Sequence, residues 1–352
     1  MGKLDQTLKK IIARDESAVK TVQARLDSLT KPQGSLGKLE ELAKTIGGIK
    51  RKSNFSLSRK AIFTFASDHG VTAERISAFP SEVTKQMVYN FLNGGAGINV
   101  LARHAGAEVV IIDIGVASDI EPHPDLMIKK VNYGTKNMAK EPAMSRQEAI
   151  KSIEIGIEIF ETKLKDGLDI AGIGEMGIGN TTASSAITSC VTKKSAKAVT
   201  GRGTGLSNPE FSHKIKVIEH SLRLHKPDSE DALDILSKIG GFEIGGMAGI
   251  ILAGAAHRIP VMLDGFISGA AALIACTLAP LAKDYLIASH CSVEQGHAII
   301  LRHLGLTPLL QLDLRLGEGT GAALGITIAD ASVKILTEMA TFKSAQVSEK
   351  SI

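Results

Sequence analysis

The sequence predicts an α/β fold built on a mostly parallel sheet flanked by helices. From about residue 61, short β-branched or aromatic runs alternate with helical segments, which is the rhythm of a parallel sheet. Five such runs each lead into a polar or glycine-bearing turn; the runs are 61–66, 109–112, 168–171, 260–263 and 285–288. Because the carboxyl ends of parallel strands line the ligand crevice, these turns predict one shared site.

Helices are predicted at both ends of the chain. Before residue 55, apolar residues recur at helical spacing on two faces: Leu4, Leu8, Ile11 and Ile12 on one, and Val19, Val22, Leu26 and Leu29 on the other. The tail from about 321 to 342 is also helical in pattern. Since 352 residues exceed the usual size of a single core, two domains are expected. Residues 1–55 and 306–352 are assigned to a small helical domain, and 56–305 to a large α/β nucleotide-binding domain.

The composition is that of an ordinary globular protein, with 44% hydrophobic and 22% charged residues. The formal net charge of +4 is spread along the chain. There is no Trp and there are only 3 Tyr, so aromatic platforms for stacking nucleic-acid bases are scarce. These features favour small anionic substrates over a nucleic-acid partner.

The three cysteines, Cys190, Cys276 and Cys291, are widely spaced and include no C-x-x-C pair, so neither a disulfide framework nor a zinc site is expected. The N-terminus is polar and has no apolar region of the signal-peptide kind. Residues 265–282 are 18 uncharged positions, but Pro280 and several small polar residues favour a buried helix over a membrane span. We expect a cytoplasmic protein with no membrane anchor, no metal and no cofactor.

Glu318 lies between Gly317 and Gly319, which is an unusual setting for a surface carboxylate. Glycine on both sides permits positive φ and lets the backbone approach a ligand closely. The following segment, 320–324, is able to begin a helix whose free N–H groups face the same space. The stretch therefore indicates a base beside an anion or sugar site. The alternative is a turn in which Glu318 merely complements a helix N-terminus.

Residues 172–177 match G-x-G-x-x-G after a predicted strand. The dinucleotide interpretation also requires an acidic residue about 20 positions later, and no Asp or Glu occurs between Glu175 and Glu210. We therefore favour a mononucleotide phosphate or a carboxylate at the start of the next helix, which Asn180 or Thr181 is expected to cap. Strand–helix packing alone is the alternative.

Residues 200–205 form a second glycine-rich turn, which contains a guanidinium and the hydroxyl groups of Thr200 and Thr204, and in which Arg202 and Gly203 are candidate ligand contacts. The arginine side chain suits bidentate contact with phosphate or carboxylate, and Lys214 follows shortly afterwards. An exposed flexible loop is an equally good interpretation of this segment.

Further candidates lie in the other strand-end turns. The Asp-His pair at 68–69 and Asp264 are candidate acceptors for ribose hydroxyls, because a carboxylate accepts two O–H donors. Ser292 is a candidate donor to a ligand. The spacing of His290 and His297 does not match a metal site, so these side chains are expected to pack or to cap helices.

Several of these motifs are long, unusual and in order over nearly the whole chain. They are Lys31-Pro-Gln-Gly-Ser-Leu-Gly, Ser67-Asp-His-Gly-Val, Gly94-Gly-Ala-Gly-Ile-Asn, Gly174-Glu-Met-Gly-Ile-Gly-Asn-Thr-Thr, Thr200-Gly-Arg-Gly-Thr-Gly, Leu263-Asp-Gly-Phe, Ser289-His and Leu316-Gly-Glu-Gly-Thr-Gly-Ala-Ala. Through them the chain resembles the nicotinate-nucleotide–dimethylbenzimidazole phosphoribosyltransferases. The resemblance implies a Rossmann-like large domain, a small domain made from both termini and a homodimer.

The resemblance also implies transfer of ribose 5-phosphate from nicotinate mononucleotide to 5,6-dimethylbenzimidazole or a related base. Glu318 matches the catalytic base of the family, and Glu175 matches a second active-site carboxylate. Ser81 and Gln86 are implied near the benzimidazole. The residues implied near the nucleotide are Gly174, Met176, Gly177, Ile178, Gly179, Lys214, Asp264 and Ser292.

Three alternatives belong to other functional classes. A nicotinate mononucleotide hydrolase would use the same donor site. A dinucleotide-dependent oxidoreductase is disfavoured by the missing acidic residue, and a non-catalytic nucleotide-binding module leaves Glu318 without a purpose. The preferred acceptor base depends on pocket shape, which the motifs do not specify.

Overall fold

A computed structural model describes residues 2–203 and 205–348. Its centre is a six-stranded sheet of β1 (Lys60–Ser67), β2 (Glu108–Gly115), β3 (Leu126–Ile128), β4 (Ile170–Met176), β5 (Val261–Leu263) and β6 (Leu286–Ala288). The strand order is β3-β2-β1-β4-β5-β6, and every neighbouring pair is parallel. This is the strand order of Rossmann sheets, in which the order reverses between the first and fourth strands. The predicted α/β class with a parallel sheet is confirmed.

Helices surround the sheet on both faces. In chain order they are α1 (Lys3–Leu8), α2 (Glu16–Asp27), α3 (Lys38–Lys50), α4 (Glu82–Leu92), α5 (Gly97–Ala105), α6 (Arg146–Lys165), α7 (Asn180–Thr192), α8 (Ala196–Val199), α9 (Asn208–His225), α10 (Ala232–Ile239), α11 (Phe242–His257), α12 (Phe266–Leu278), α13 (Gln295–Leu304), α14 (Thr320–Glu338) and α15 (Phe342–Ala345). Two short 3-10 helices span Gly70–Glu74 and Pro280–Tyr285.

The side chains of β1 alternate between two hydrophobic layers, as the two-residue period of a strand requires. Phe63 and Phe65 pack into the cluster that contains the apolar faces of α6, α11 and α12. Ile62 and Ala66 pack into the opposite cluster, with residues of α3, α5 and α14. Both faces are therefore covered, which explains why the strand is a continuous apolar run rather than an alternating one.

The terminal segments contribute a small third cluster. Val22 and Leu26 of α2 pack there with Ala43 of α3 and Leu336 of α14. The first helix lies elsewhere, since Leu4 belongs to the large cluster against the sheet. The predicted domain boundaries at 55 and 305 stay a prediction.

Most of the uncharged stretch 265–282 forms α12, which is mostly buried within the large cluster, and its last residues begin the 3-10 helix at Pro280. Within residues 2–203 and 205–348, no helix combines the length and the apolar character of a membrane span.

The fourth strand runs further than predicted. The predicted run ended at 171, and the glycine-bearing segment after it was interpreted as a turn, whereas β4 continues to Met176. The reason is tertiary. A Cβ on Gly174 would overlap the carbonyl oxygen of Glu318, and one on Gly172 would lie 3.2 Å from the Ala322 Cβ. Both glycines therefore provide space for α14 and the turn before it, so strand–helix packing, the alternative interpretation of this motif, accounts for its first half.

Strand β3 was not predicted. It lies at the sheet edge beside β2, and only Leu126 of its three residues is buried. Strands β5 and β6 are equally short, but all of their residues are buried and apolar, so β3 lacks the apolar run by which those strands were predicted.

Helices α6 and α11 cross at a glycine contact. A Cβ on Gly156 would overlap the carbonyl oxygen of Gly246, and one on Gly249 would overlap the carbonyl oxygen of Ile153. The two backbones therefore touch directly, and this contact holds the helical layer on which Phe63 and Phe65 pack.

We expect Gly156→Ala to lower the free energy of unfolding by about 3 kcal/mol, at the upper end of the usual cost of overpacking, because two backbones have to separate. Gly305→Ala is the control: its Cβ meets nothing within 4 Å, and its φ of +69° costs only the left-handed strain of about 1–2 kcal/mol. Denaturant unfolding measures both. Equal losses in the two variants would contradict the close contact.

Candidate active site

A cavity of about 440 Å³ opens at the carboxyl ends of β4, β5 and β6. Glu175 at the end of β4, Asp264 after β5 and His290 after β6 line it, and Glu318 closes it from the turn before α14. The predicted turns at 67–70 after β1 and 113–115 after β2 do not line this space, although Ile76, Ser77 and Phe79, further along the connection after β1, do. Three of the five predicted strand-end turns therefore converge on one site.

Glu318 has a left-handed backbone conformation, with φ of +65°. The residue is 5% exposed, and its Oε2 accepts a hydrogen bond of 3.0 Å from the backbone N–H of Ile98, in the first turn of α5. Burial raises the pKa of Glu318 and the charge of Asp264 adds to this rise, whereas the N–H groups of Ile98 and Gly97 oppose it. Glu318 does complement a helix N-terminus, but that of α5 rather than that of its own helix.

Glu175 is a buried carboxyl group on the same side of the cavity. Its Oε2 accepts a short hydrogen bond from the Asn180 side chain. Burial raises its pKa to about 8, and the negative charges of Asp264, Glu243 and Glu318 contribute to the rise. At neutral pH, Glu175 is therefore largely protonated in the free protein.

The cap predicted for α7 is absent. The N-cap residue of the helix is Gly179, with φ of +98°, and it has no side chain to accept hydrogen bonds from the first N–H groups of α7. Asn180 instead bonds to Glu175, and the Thr181 hydroxyl accepts a hydrogen bond of 2.7 Å from Lys214 Nζ. The polar side chains at this helix start serve the cavity, so the expectation of a cap was wrong.

Asp264 bonds to the backbone of α14. Its Oδ1 accepts from the Gly321 N–H at 2.6 Å and its Oδ2 from the Gly319 N–H at 3.2 Å. Because the N-cap of α14 is Gly319, which has no side chain, this carboxylate supplies the missing cap from the end of β5. His290 Nε2 lies 3.7 Å from Oδ1.

The turn at Gly177, Ile178 and Gly179 forms one polar wall of the cavity, together with Met176. Gly203 and Ser292 line the wall formed by the loops before α9 and α13. The N–H of Gly203 is bonded at 3.0 Å to Glu294 Oε1. These walls bring most of the predicted nucleotide contacts into one space.

Lys214 lies just behind that wall rather than in it. It is 1% exposed, and burial lowers its pKa to about 8. Its Nζ donates to Thr181, which does line the cavity. The lysine therefore acts on the cavity through a hydroxyl group.

Arg202 and Gly174 do not line the main cavity. The Arg202 guanidinium donates to the Leu206 carbonyl at 2.7 Å and to the Asn208 side chain, and it lies over the ring of Phe211. It thus stabilises its own loop and faces a neighbouring cavity of about 430 Å³. Thr204 lies outside the described residues.

Ser81 and Gln86 also lie outside the lining, and Gln86 is exposed. Val83 and Met87 of the same helix face the cavity instead. These two residues are four positions apart, so they share one face of α4.

The Asp68 and His69 side chains hold neighbouring segments. Asp68 Oδ2 accepts from the Ala117 N–H at 2.8 Å, and His69 Nε2 lies 2.6 Å from Glu243 Oε1 in a fully buried pair. Burial lowers the pKa of His69, but the charge and the hydrogen bond of Glu243 outweigh it and raise the pKa. Neither side chain is positioned to accept a ribose hydroxyl in this cavity.

Much of the cavity lining was not predicted from the sequence. The additional apolar residues are Ile76, Phe79, Val83, Met87, Phe266, Ile267 and Leu316, and the additional polar residues are Ser77, Asn180, Thr181, Ser268, His290, Glu294 and Arg315. The helical spacing of Val83 and Met87 was visible, but the same spacing is typical of core residues.

The arrangement combines an apolar wall with a partly desolvated carboxylate and a polar floor of glycine-rich turns. An apolar wall suits a flat heterocycle, and a carboxylate beside it is placed to take a ring N–H proton. Turns rich in backbone N–H groups suit an anionic sugar phosphate.

Known proteins that are similar to this chain are phosphoribosyltransferases. A phosphoribosyltransferase family model matches residues 11–347. Nicotinate-nucleotide–dimethylbenzimidazole phosphoribosyltransferase from Chloroflexus aurantiacus is 53% identical over 350 residues, which cover 99% of this chain and 100% of the relative. The enzyme of that name from Desulforamulus reducens is 55% identical over 350 residues with the same coverage. The crystal structure of CobT from Thermus thermophilus has a TM-score of 0.91 at 42% identity and covers 95% of this chain and 100% of that one.

These similarities span nearly the whole of this chain and of its relatives, so the resemblance inferred from the ordered motifs is confirmed. The chain belongs to the nicotinate-nucleotide–dimethylbenzimidazole phosphoribosyltransferase family.

Proposed function

We propose that the protein transfers ribose 5-phosphate from nicotinate mononucleotide to 5,6-dimethylbenzimidazole or a related base. The products are nicotinate and the α-riboside 5′-phosphate of the base. The observation that carries the proposal is Glu318, a carboxylate held at the cavity by one oxygen while it faces an apolar wall.

The donor carries a leaving group that departs readily without acid catalysis. Nicotinate joined to ribose is a pyridinium, so the C–N bond breaks with its electron pair returning to the ring nitrogen. Nicotinate therefore leaves with a neutral ring, and the departure requires little acid catalysis. The weaker partner is the neutral benzimidazole, which the enzyme has to activate.

Glu318 activates the acceptor as a general base. One nitrogen of the benzimidazole attacks the anomeric carbon while the proton on the other nitrogen passes to the carboxylate. Attack opposite the leaving group inverts the β-nucleotide to an α-riboside. The Ile98 N–H holds Oε2, which leaves Oε1 as the proton acceptor. The raised pKa of Glu318 strengthens it as a base.

The protonation state of Glu175 depends on whether the cationic donor is bound. Its pKa of about 8 describes the free protein. A bound pyridinium ring favours the ionised carboxylate, because an opposite charge nearby lowers a carboxyl pKa. The resulting anion stabilises positive charge on the ribose as the bond to nicotinate breaks.

The nucleotide is oriented by the glycine-rich turns. Gly177, Ile178 and Gly179 line the cavity on one side and Gly203 and Ser292 on the other. We assign these groups to the phosphate and ribose, with Lys214 supporting them through Thr181. Positioning of this kind removes part of the entropic barrier to the reaction.

We further propose a homodimer in the cytoplasm. The dimer is what the family resemblance implies, and Phe79 and Leu316, which are 53% and 61% exposed at the cavity mouth, are suitable for cover by a partner. The three free cysteines fit a reducing compartment.

The decisive experiment is a product assay with nicotinate mononucleotide and a panel of bases, with products identified by mass. We expect an α-riboside phosphate of the base, formed together with nicotinate. Release of nicotinate at the same rate without any base would indicate the hydrolase instead. Reduction or oxidation of an added dinucleotide would indicate the oxidoreductase.

Glu318→Gln is expected to lower kcat by roughly 10²- to 10⁴-fold, the usual range for losing a general base, while the Kd for nicotinate mononucleotide stays within about twofold. Steady-state kinetics and calorimetric titration give the two values. Glu338→Gln, an exposed position at the other end of α14, is the matched control. Near-wild-type turnover of Glu318→Gln would refute the assignment of the base.

Glu175→Gln is expected to stabilise the protein at high pH. The folded pKa of about 8 lies above the unfolded value of 4.5, so the folded state binds the extra proton between these values. The free energy of unfolding of the wild type therefore falls as pH rises from about 4.5 to 8. Glutamine does not titrate, so the free energy of unfolding of the variant does not fall for this reason.

Denaturant unfolding at pH 5 and pH 8.5 measures the effect. The advantage of the variant should grow by a few kcal/mol between the two pH values, on the order of the pKa shift. Glu121→Gln, at an exposed site, should follow the wild type. The same pH dependence in wild type and Glu175→Gln would show that Glu175 is not the group responsible.

A further inference from the structure

Glu318 adopts a backbone conformation that is costly for a residue with a Cβ. Its φ of +65° is left-handed, and such a residue costs roughly 1–3 kcal/mol. A conformation of this kind persists only where the surrounding structure enforces it. The contacts of the Glu318 main chain should therefore identify the residues that hold the base in place.

One of those contacts comes from the middle of β1. The Thr64 hydroxyl donates a hydrogen bond of 3.0 Å to the Glu318 carbonyl oxygen. Thr64 is fully buried and lies in the apolar run 61–66, where a polar side chain needs a specific partner. It does not line the cavity, so it has no direct access to a substrate there.

The adjacent strand completes the same support. Thr64 is paired in register with Gly174 of β4, so both residues point to the face on which the Glu318 turn lies. The absence of a side chain at Gly174 lets the Glu318 carbonyl approach the sheet, where the Thr64 hydroxyl meets it. The two residues thus support the turn together: Gly174 leaves space for the Glu318 carbonyl, and Thr64 supplies its hydrogen-bond donor.

We propose that Thr64 is a positioning residue that holds Glu318 in its left-handed conformation and so aims the carboxylate into the cavity. This inference rests on the proposed role of Glu318 as the base. Asp264 also restrains the turn, through Gly319 and Gly321, but it lines the cavity as well. Because Thr64 does not line the cavity, a change at this residue can displace Glu318 without removing a contact to the substrate.

The test compares Thr64→Val, which keeps the branched shape but removes the donor, with Thr64→Ser, which keeps the donor. In Thr64→Val we expect kcat to fall by about 10- to 100-fold, since a misplacement of about 1 Å has effects of this size, with the Kd for nicotinate mononucleotide within about twofold. Thr64→Ser should stay within a few-fold of wild type.

Thr188→Val is the matched control. Thr188 is equally buried, and its hydroxyl also donates to a backbone carbonyl, that of Ser184 within α7. It should lose stability without losing kcat. If Thr64→Val does not fold, Thr64→Ala replaces it, because alanine adds no bulk, and it should show the same loss of kcat relative to Thr64→Ser.

A double-mutant cycle isolates the mechanism. If Thr64 acts through Glu318, Thr64→Val should have almost no further effect on single-turnover rates in a Glu318→Gln background. Additive losses would overturn the proposal, as would wild-type kcat in Thr64→Val or a loss confined to Kd. Normal turnover in Glu318→Gln alone would instead refute the base, so the two failures are distinguishable.

Discussion

The structure of the site depends on the close approach of one turn to the sheet. The Glu318 carbonyl lies against Gly174, accepts a hydrogen bond from Thr64, and precedes a helix start that Asp264 caps. These three contacts come from neighbouring strands β1, β4 and β5, so the centre of the sheet determines where the carboxylate points. The glycines on either side of Glu318 have φ of +86° and +100°, and they make such a tight turn possible.

The second constraint is electrostatic. Glu175, Asp264 and Glu318 are each at most 6% exposed and line one cavity, and their mutual repulsion contributes to the raised pKa values of Glu175 and Glu318. Crowding of this kind disfavours the charged forms, so the free protein relieves the repulsion by keeping Glu175 protonated at neutral pH. A cationic ring in the cavity would favour the ionised form of Glu175, because an opposite charge nearby lowers a carboxyl pKa. The cluster thus suits the charge of the proposed donor.

The sequence predicted those features that local residue patterns determine. Apolar runs located five of the six strands, and Glu318 between two glycines indicated a special turn. The edge strand Leu126–Ile128 escaped because only one of its residues is buried, so its segment has no apolar run. The G-x-G segment resembled a phosphate turn, yet its first two glycines serve the packing of α14 and the turn before it, and the segment reaches the cavity only from Glu175 onward. Arg202 was a candidate ligand contact, with a flexible loop as an equally good interpretation. Its guanidinium bonds within its own loop, an arrangement that the local pattern of glycines does not indicate.

The contacts of the Glu318 turn also bear on how the protein reaches its active form. The turn bonds to Thr64, Ile98 and Asp264, which are 254, 220 and, from Gly319, 55 residues away along the chain. Closing loops of this length costs conformational entropy, which the buried contacts of the turn have to offset. All six strands precede the turn, yet α14, which follows it directly, covers one face of the sheet. The base and a layer of the core are therefore contiguous in the chain, so losing this segment would expose the sheet as well as remove the group that activates an acceptor.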